Sequence, residues 1–242
     1  MKIIAVTLKG QKKQENEDRI VIGQTVLADG LFEGSLSAGV LAVADGVGGN
    51  NAGAVASGFV AQRLSQLQEV TEETLEDIND ALLVASEADS GCAGMATTLS
   101  GLQLGADRAR LFSIGNTRVW QLQGGRYLKQ LTRDDTVVNY LLETGQLTPA
   151  EAENFDRKHE ITACFGGGSP LFFSIGIRDV QLPPSPILLT SDGIHDHLSV
   201  DAMELLLEEL GLTADACFAI IAAAHLNGSH DDTSILLAIP EE

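Results

Sequence analysis

Leu41-Ala42-Val43-Ala44-Asp45-Gly46 is an apolar run that ends abruptly in an acid and a glycine. Ile187-Leu188-Leu189-Thr190-Ser191-Asp192-Gly193 repeats the arrangement late in the chain. Short continuous apolar runs read as strands fit for burial, so each Asp must emerge where its strand leaves the sheet. The glycine that follows permits a tight turn and exposes the neighbouring backbone carbonyl. Asp231 stands just before the apolar run Thr233–Ile239, and Glu17-Asp18 just before Arg19–Leu27. Acids therefore lie at the ends of four expected strands. If those ends are neighbours, the carboxylates cannot all stay ionised unless a cation joins them. Ligands that are all oxygen point to Mg²⁺ or Mn²⁺ and not to zinc. Taken singly, each Asp-Gly also reads as an ordinary turn, as Asp29-Gly30 does.

Outward from these runs, the start of the chain reads as strands over Lys2–Leu8, Arg19–Leu27 and Val40–Ala44. Ala52, Val55, Ala56, Phe59, Val60, Leu64 and Leu67 step by three and four, which predicts a helix with one buried stripe. A second helix is expected over Glu72–Ala88. Strand-like runs follow at Thr97–Leu104, Ala109–Ile114, Arg118–Leu122 and Tyr127–Leu131, with a hairpin turn at Gln123-Gly124-Gly125-Arg126. Strands resume at Leu171–Ile177 and Pro186–Thr190, the latter after the breaker Pro183-Pro184-Ser185-Pro186. Helices over Val200–Leu210 and Ala214–Leu226 precede the last strand. Strands in groups with helices in pairs predict an α+β fold with an antiparallel sheet core. Residues 134–168 differ in being polar and mixed, with short helices around Val137–Glu143 and from Pro149. They read as a mobile insert in a single domain spanning 1–242.

The chain carries 15 Lys and Arg against 34 Asp and Glu, a net charge of −19. That excess argues against binding nucleic acid or an anionic membrane. Most of the acids read as a solvated surface. Cys92, Cys164 and Cys217 form no CxxC pair, no disulfide framework is implied, and no stretch is apolar enough for a membrane span or a signal peptide. A reducing, cytoplasmic setting is expected.

At the acidic motifs the chain resembles the metal-dependent protein phosphatases of the 2C type, in particular the compact bacterial Ser/Thr phosphatases. The resemblance is carried, in family order, by Asn16-Glu17-Asp18, Asp45-Gly46-Val47-Gly48-Gly49, Met95-Ala96-Thr97-Thr98-Leu99, Ile114-Gly115-Asn116-Thr117-Arg118, Leu131-Thr132-Arg133-Asp134-Asp135, Leu189-Thr190-Ser191-Asp192-Gly193 and Asp231-Asp232-Thr233-Ser234. It implies a four-layer α-β-β-α sandwich with two central antiparallel sheets and a flap at about 134–168. It also implies a two-metal site holding Mn²⁺ or Mg²⁺. Asp45 would bridge the ions, Asp192 and Asp231 would complete the first, and the Gly46 carbonyl would face the second, with Glu17 and Asp18 holding its waters. A hydroxide bridging the ions would hydrolyse phosphoserine or phosphothreonine on proteins without a phosphoenzyme. The implied partners are phosphoproteins and the Ser/Thr kinase the enzyme opposes, and the chain is expected to act as a monomer.

The chain departs from the family at several places. Lys13 stands where the family places its phosphate-binding Arg; it keeps the charge, loses the bidentate fork, and reads equally as surface charge. Val47 takes the place of the His general acid of animal relatives, which bacterial members often lack, so a metal-bound water is expected to protonate the leaving group; Asn50 and Ala54 replace a His and a Glu often found after the glycines. Asn116 occupies a third-metal position that the family fills with Asp, so two firm ions are expected and no firm third. His195 and His197 form an i, i+2 pair without a further nitrogen or sulfur ligand and read as polar residues at the site mouth. His159, in the insert, would reach substrate if the flap covers the cleft. His230 would orient a carboxylate or end a loop, and His225 reads as structural. Cys164 reads as an unremarkable thiol and Gly166-Gly167-Gly168 as a hinge or turn, without the Lys-Ser/Thr of a phosphate loop. A rival reading is a binding module that keeps the fold without turnover. The retained Asp45, Asp192 and Asp231 oppose it, because buried acids that repel one another are costly to keep without a cation.

Overall fold

A computed structural model describes residues 1–47, 52–105, 108–152, 154–181 and 185–241. In chain order its elements are β1 (Lys2–Leu8), β2 (Asp18–Ile22), β3 (Thr25–Leu27), β4 (Gly30–Ser35), β5 (Gly39–Val47), α1 (Ala52–Leu64), α2 (Glu72–Ala88), β6 (Ala96–Thr97), β7 (Leu99–Leu104), β8 (Ala109–Ile114), β9 (Arg118–Gln123), β10 (Tyr127–Gln130), α3 (Val137–Glu143), α4 (Pro149–Ala152), β11 (Phe165–Gly166), β12 (Gly176–Val180), β13 (Ile187–Thr190), α5 (Asp192–His195), α6 (Val200–Leu210), α7 (Ala214–Leu226) and β14 (Thr233–Ile239).

Two antiparallel sheets result. One has the order β10-β9-β13-β14-β1-β4; the other runs β11-β6-β5-β7-β8-β12, with β2 and β3 attached beside β5. The alternation of side chains along each strand divides the apolar residues among three cores. In β1, Ile3 and Ala5 face the other sheet and, with Leu189 and Leu236 of their own sheet, pack in one core with Leu41 and Val43 of β5. Ile4 and Val6 point the other way, onto Met203, Ile220 and Ala224 of α6 and α7. Ala42 and Ala44 of β5 likewise turn outward, onto Val60, Leu64, Leu75 and Leu82 of α1 and α2. Strands apolar on both faces are thus required by burial on both faces, and the architecture is the four-layer α-β-β-α sandwich.

Helix starts follow local capping chemistry. Thr71 and Thr74 form a reciprocal capping box at α2, and Thr136, Ser199 and Thr213 cap α3, α6 and α7.

Four expectations need correction. The run 19–27 is not one strand: Gly23, at φ 58°, turns the chain between β2 and β3. Glycine adopts that left-handed conformation without steric cost. A further strand, β4, lies where none was expected; its residues alternate between half-buried and exposed at a sheet edge, so its apolar signal is weak. The run 171–177 is a 3₁₀ turn at Pro170–Phe172 followed by β12, because Pro170 starts the turn and Ser169 caps it. Gly166 belongs to β11 and is not a plain hinge; its N–H donates to the Asn79 side chain at 2.8 Å. The breaker residues Pro183 and Pro184, and Gly48, Gly49 and Asn50, lie outside the described residues.

Candidate metal centre and active site

The register of the strands gathers the acids. Asp18, first in β2, is the direct partner of Asp45 on β5. In the other sheet, Thr190 at the end of β13 pairs with Ile235 of β14 and Arg118 at the start of β9. Asp192, Asp231 and Asn116, just beyond these strands, therefore emerge at the same end of the sandwich. A cavity of about 350 Å³ opens there, lined by Lys13, Glu17, Asp45, Gly46, Asn116, His159, Asp192 and Asp231, among others.

Backbone bonds hold the acids in place. The Asn16 side chain accepts from Asp18 N–H at 2.9 Å and donates to Thr7 at 2.8 Å, fixing the turn into β2. The carbonyl of Glu17 accepts from Gly46 N–H at 3.1 Å and from the Ser57 hydroxyl at 2.5 Å. The carbonyl of Asp45 accepts from Thr98 N–H at 2.8 Å and from the Thr97 hydroxyl at 2.9 Å. Gly46 is needed for space: a Cβ there would run into the backbone of Gly53, so a side chain would push α1 off the site. Ala54 lies buried on that helix.

The electrostatics are strained. Desolvation, then repulsion from Asp192, Asp18 and Asp231, pushes the Asp45 carboxyl well above its usual range. Desolvation, then Asp196 and Asp231, raises Asp192 also. The Asp18 carboxyl is pushed up to about 8 by desolvation and by Asp232. Both its oxygens are buried without a hydrogen-bond partner. The nearby hydroxyl of Ser234 is directed to Thr7, and that of Ser191 accepts from Ser234 N–H. Two carboxyls set side by side, with both Asp18 oxygens orphaned, fit a hard divalent cation, which would neutralise the repulsion that a folded chain otherwise bears. Among the described residues no three His, Cys, Asp or Glu side chains are drawn into one coordination cluster. Lys13 supplies a positive charge at the mouth instead: its ammonium lies 2.6 Å from Glu17 and 3.0 Å from Asp231. Burial would lower its pKa, but the bonds to Glu17 and Asp231 outweigh that and raise it.

Asp231, half-exposed, faces the cavity. Its neighbour Asp232, to which the motif assigns no role, has a different task. Its oxygens accept from Gly10 N–H and Glu17 N–H, each at 2.7 Å, which ties the start of β14 to the loop carrying Lys13 and Glu17. A doublet of acids where one ligand suffices was the available signal.

Asn116 donates from Nδ2 to Asp192 at 2.8 Å, and its Oδ1 is buried without a partner. His195 is not at the mouth but buried. Thr190 accepts from the Trp120 indole at 3.0 Å, so its hydroxyl proton goes to His195 Nδ1 at 2.8 Å. Nε2–H then donates to the Asn116 carbonyl at 3.1 Å. Desolvation holds this imidazole well below its usual pKa, hence neutral, and both nitrogens are engaged. His197 and His230 are exposed, so the i, i+2 pair does not converge. Burial pushes the Cys164 thiol up to about 11, in keeping with an inert cysteine.

Residues of the 134–168 segment line the site. A second cavity of about 290 Å³, lined by Arg118, Asp134, Asn139, Lys158, His159 and Asp196 among others, shares Asn116 and His159 with the first. Arg118 makes a bidentate bond to Asp134, Nε to Oδ1 at 3.1 Å and Nη2 to Oδ2 at 2.6 Å, anchoring the start of the 134–168 segment. His159 pairs with Asp196 through Nδ1.

The comparisons agree with this architecture. A family model described as protein phosphatase 2C matches residues 17–226. A serine/threonine phosphatase of Listeria monocytogenes is 27% identical over 244 residues, covering 96% of this chain and 92% of its own. The structure of the Mycobacterium tuberculosis serine/threonine phosphatase PstP/Ppp matches with a TM-score of 0.84 at 26% identity, over 100% of each chain. A PstP catalytic domain in complex with two manganese ions matches with a TM-score of 0.76 at 27% identity, over 98% of each chain. Since the family match runs from the first acidic motif to the end of α7, the chain belongs to the protein phosphatase 2C family.

Proposed function

We propose that this chain hydrolyses phosphoserine and phosphothreonine on proteins with Mn²⁺ or Mg²⁺, opposing a Ser/Thr protein kinase. The observation that carries the reading is the convergence of Asp18, Asp45, Asp192 and Asp231 at one sheet end, with the Asp18 oxygens buried and unpartnered. Asp45, Asp192, Asp231 and the Gly46 carbonyl would hold two cations, with Glu17 and Asp18 behind them. Such ions make water nucleophilic near neutral pH and neutralise charge on the phosphoryl oxygens. Lys13, released from Glu17 and Asp231 once cations take over their charge, would bind the phosphate. Asn116 is a poorer cation ligand than Asp, so a third ion is not held firmly at that position. The chain would act as a single-domain monomer, with residues 134–168 as its flap. A cytoplasmic setting is supported by three unpaired cysteines, and no helix of the described residues is long and apolar enough to cross a membrane.

The test is hydrolysis of para-nitrophenyl phosphate with Mn²⁺ and then with chelator. Metal-dependent turnover supports the reading. Its absence there and on a phosphothreonine peptide would favour a binding module.

A further inference from the structure

The cavity is lined by an imidazole, that of His159, to which the metal chemistry gives no role. Resting on the phosphatase reading above, we propose that His159 is the general acid that protonates the leaving serine or threonine oxygen, with Asp196 as its positioning residue.

Three observations carry this. First, His159 lines both the acid-walled cavity and the adjoining flap cavity, and so stands where the two meet. A phosphorylated side chain reaching the acids with its peptide against the insert would place its bridging oxygen in this region. Second, Nδ1 of His159 is held by the Asp196 carboxylate, while Nε2 makes no hydrogen bond among the described residues. This is the arrangement in which a carboxylate fixes an imidazole by one nitrogen and leaves the other to transfer a proton. Asp196 is itself fixed, because its N–H closes the last turn of α5 onto Asp192. Third, the other side chains near this site are poor acids, so the rival donor is a metal-bound water. Val47 has no proton to give, His195 is buried with both nitrogens engaged, and Lys13 is taken up by the phosphate in the reading above. Lys158 and Glu160 flank His159, and Arg118 shares the flap cavity.

The step balances. The oxygen of the attacking water forms the new bond to phosphorus. The bond from phosphorus to the serine or threonine oxygen breaks, and its electron pair goes to that oxygen. The proton on His159 Nε2 goes to the same oxygen, giving the alcohol. The proton lost by the attacking water restores the imidazolium.

An alkoxide is a poor leaving group that needs this proton, whereas para-nitrophenolate does not. The experiment compares the full-length wild-type chain, His159→Gln and Asp196→Asn, all with Mn²⁺, on a phosphothreonine peptide and on para-nitrophenyl phosphate. General acid catalysis is worth about 10²–10⁴ in rate. The expected result for His159→Gln is a loss of about a hundredfold or more in kcat on the peptide, at least tenfold larger than its loss on the aryl ester. Asp196→Asn shows the same asymmetry with a smaller loss. Equal losses on both substrates, or no loss on the peptide, would overturn the proposal while leaving the phosphatase reading intact. A wild-type chain inert on both substrates would overturn that reading and this inference with it. In the metal-free protein, the Nδ1 resonance of His159 should move on Asp196→Asn; an unmoved resonance means the pair does not form in solution and would overturn the positioning role.

Discussion

Asp18 and Asp45 are direct register partners on adjacent strands, and neither oxygen of Asp18 has a hydrogen-bond partner. Two acids so placed resist sharing charge. The sheet sets this arrangement: the β2–β5 ladder cannot slip by one residue without turning Ile20 and Val43 out of the core between the sheets.

The first consequence is a pH dependence of metal-free stability. The folded chain keeps a proton on Asp18 up to about pH 8, whereas an unfolded carboxyl releases it near pH 4. The folded state therefore binds more protons across that window, and stability falls as pH rises through it. Neutral His195 acts in the opposite sense below about pH 6.5, where the unfolded imidazole charges. The melting temperature without metal should fall from about pH 6.5 to 8.5, and Asp18→Asn should flatten that slope. Mn²⁺ should replace the proton, so its stabilisation should be larger at high pH. At a hundred times Kd the gain is about 2.7 kcal/mol, or roughly 5–10 °C in a chain of this size. A thermal-shift series across pH checks both statements.

Adjacent carboxylates should separate by role. Asp231→Ala is expected to abolish Mn²⁺-dependent turnover with little loss of fold, because its side chain is half-exposed. Asp232→Ala removes two charge-assisted bonds to buried N–H groups and should cost about 3 kcal/mol of stability. Urea melts and steady-state kinetics on the two variants distinguish them.

Asn116 offers a gain-of-ligand test. Asn116→Asp places a like charge against Asp192 and removes the 2.8 Å bond from Nδ2. Without metal the variant should lose about 1–3 kcal/mol. With Mn²⁺, calorimetric stoichiometry should rise from two ions to three. Three equally tight ions in the wild type would contradict the role given to Asn116.

Lys13 should affect binding more than chemistry. Lys13→Ala is expected to raise KM for a phosphopeptide by about tenfold with kcat changed less. Lys13→Arg, which restores a bidentate fork, should lower KM below the wild-type value. Unchanged KM in both would make Lys13 a structural counter-charge only.

The sandwich and its acidic sheet ends were legible in the sequence because burial on both faces leaves continuous apolar runs, as in β5, which carries Asp45, and β14, which Asp232 directly precedes. The run 171–177 misled because Leu171 and Phe172 are apolar yet exposed on a short 3₁₀ turn, so hydropathy there does not report a buried strand. Strand β4 escaped notice because one of its faces stays wet. The clamp of Asp232 and the pairing of His159 with Asp196 join residues far apart in the chain. No spacing encodes them; only the folded register brings them together.

The central claim is that this cluster of acids works by gathering divalent cations. Its most direct test is turnover of a phosphothreonine peptide by the wild-type chain, stripped with chelator and then titrated with Mn²⁺, with Asp45→Ala and Asp192→Asn alongside. Expected are no turnover in the stripped protein, saturable recovery with Mn²⁺, and losses of more than about a thousandfold in both variants. Turnover indifferent to chelator, or full activity in either variant, would contradict that claim.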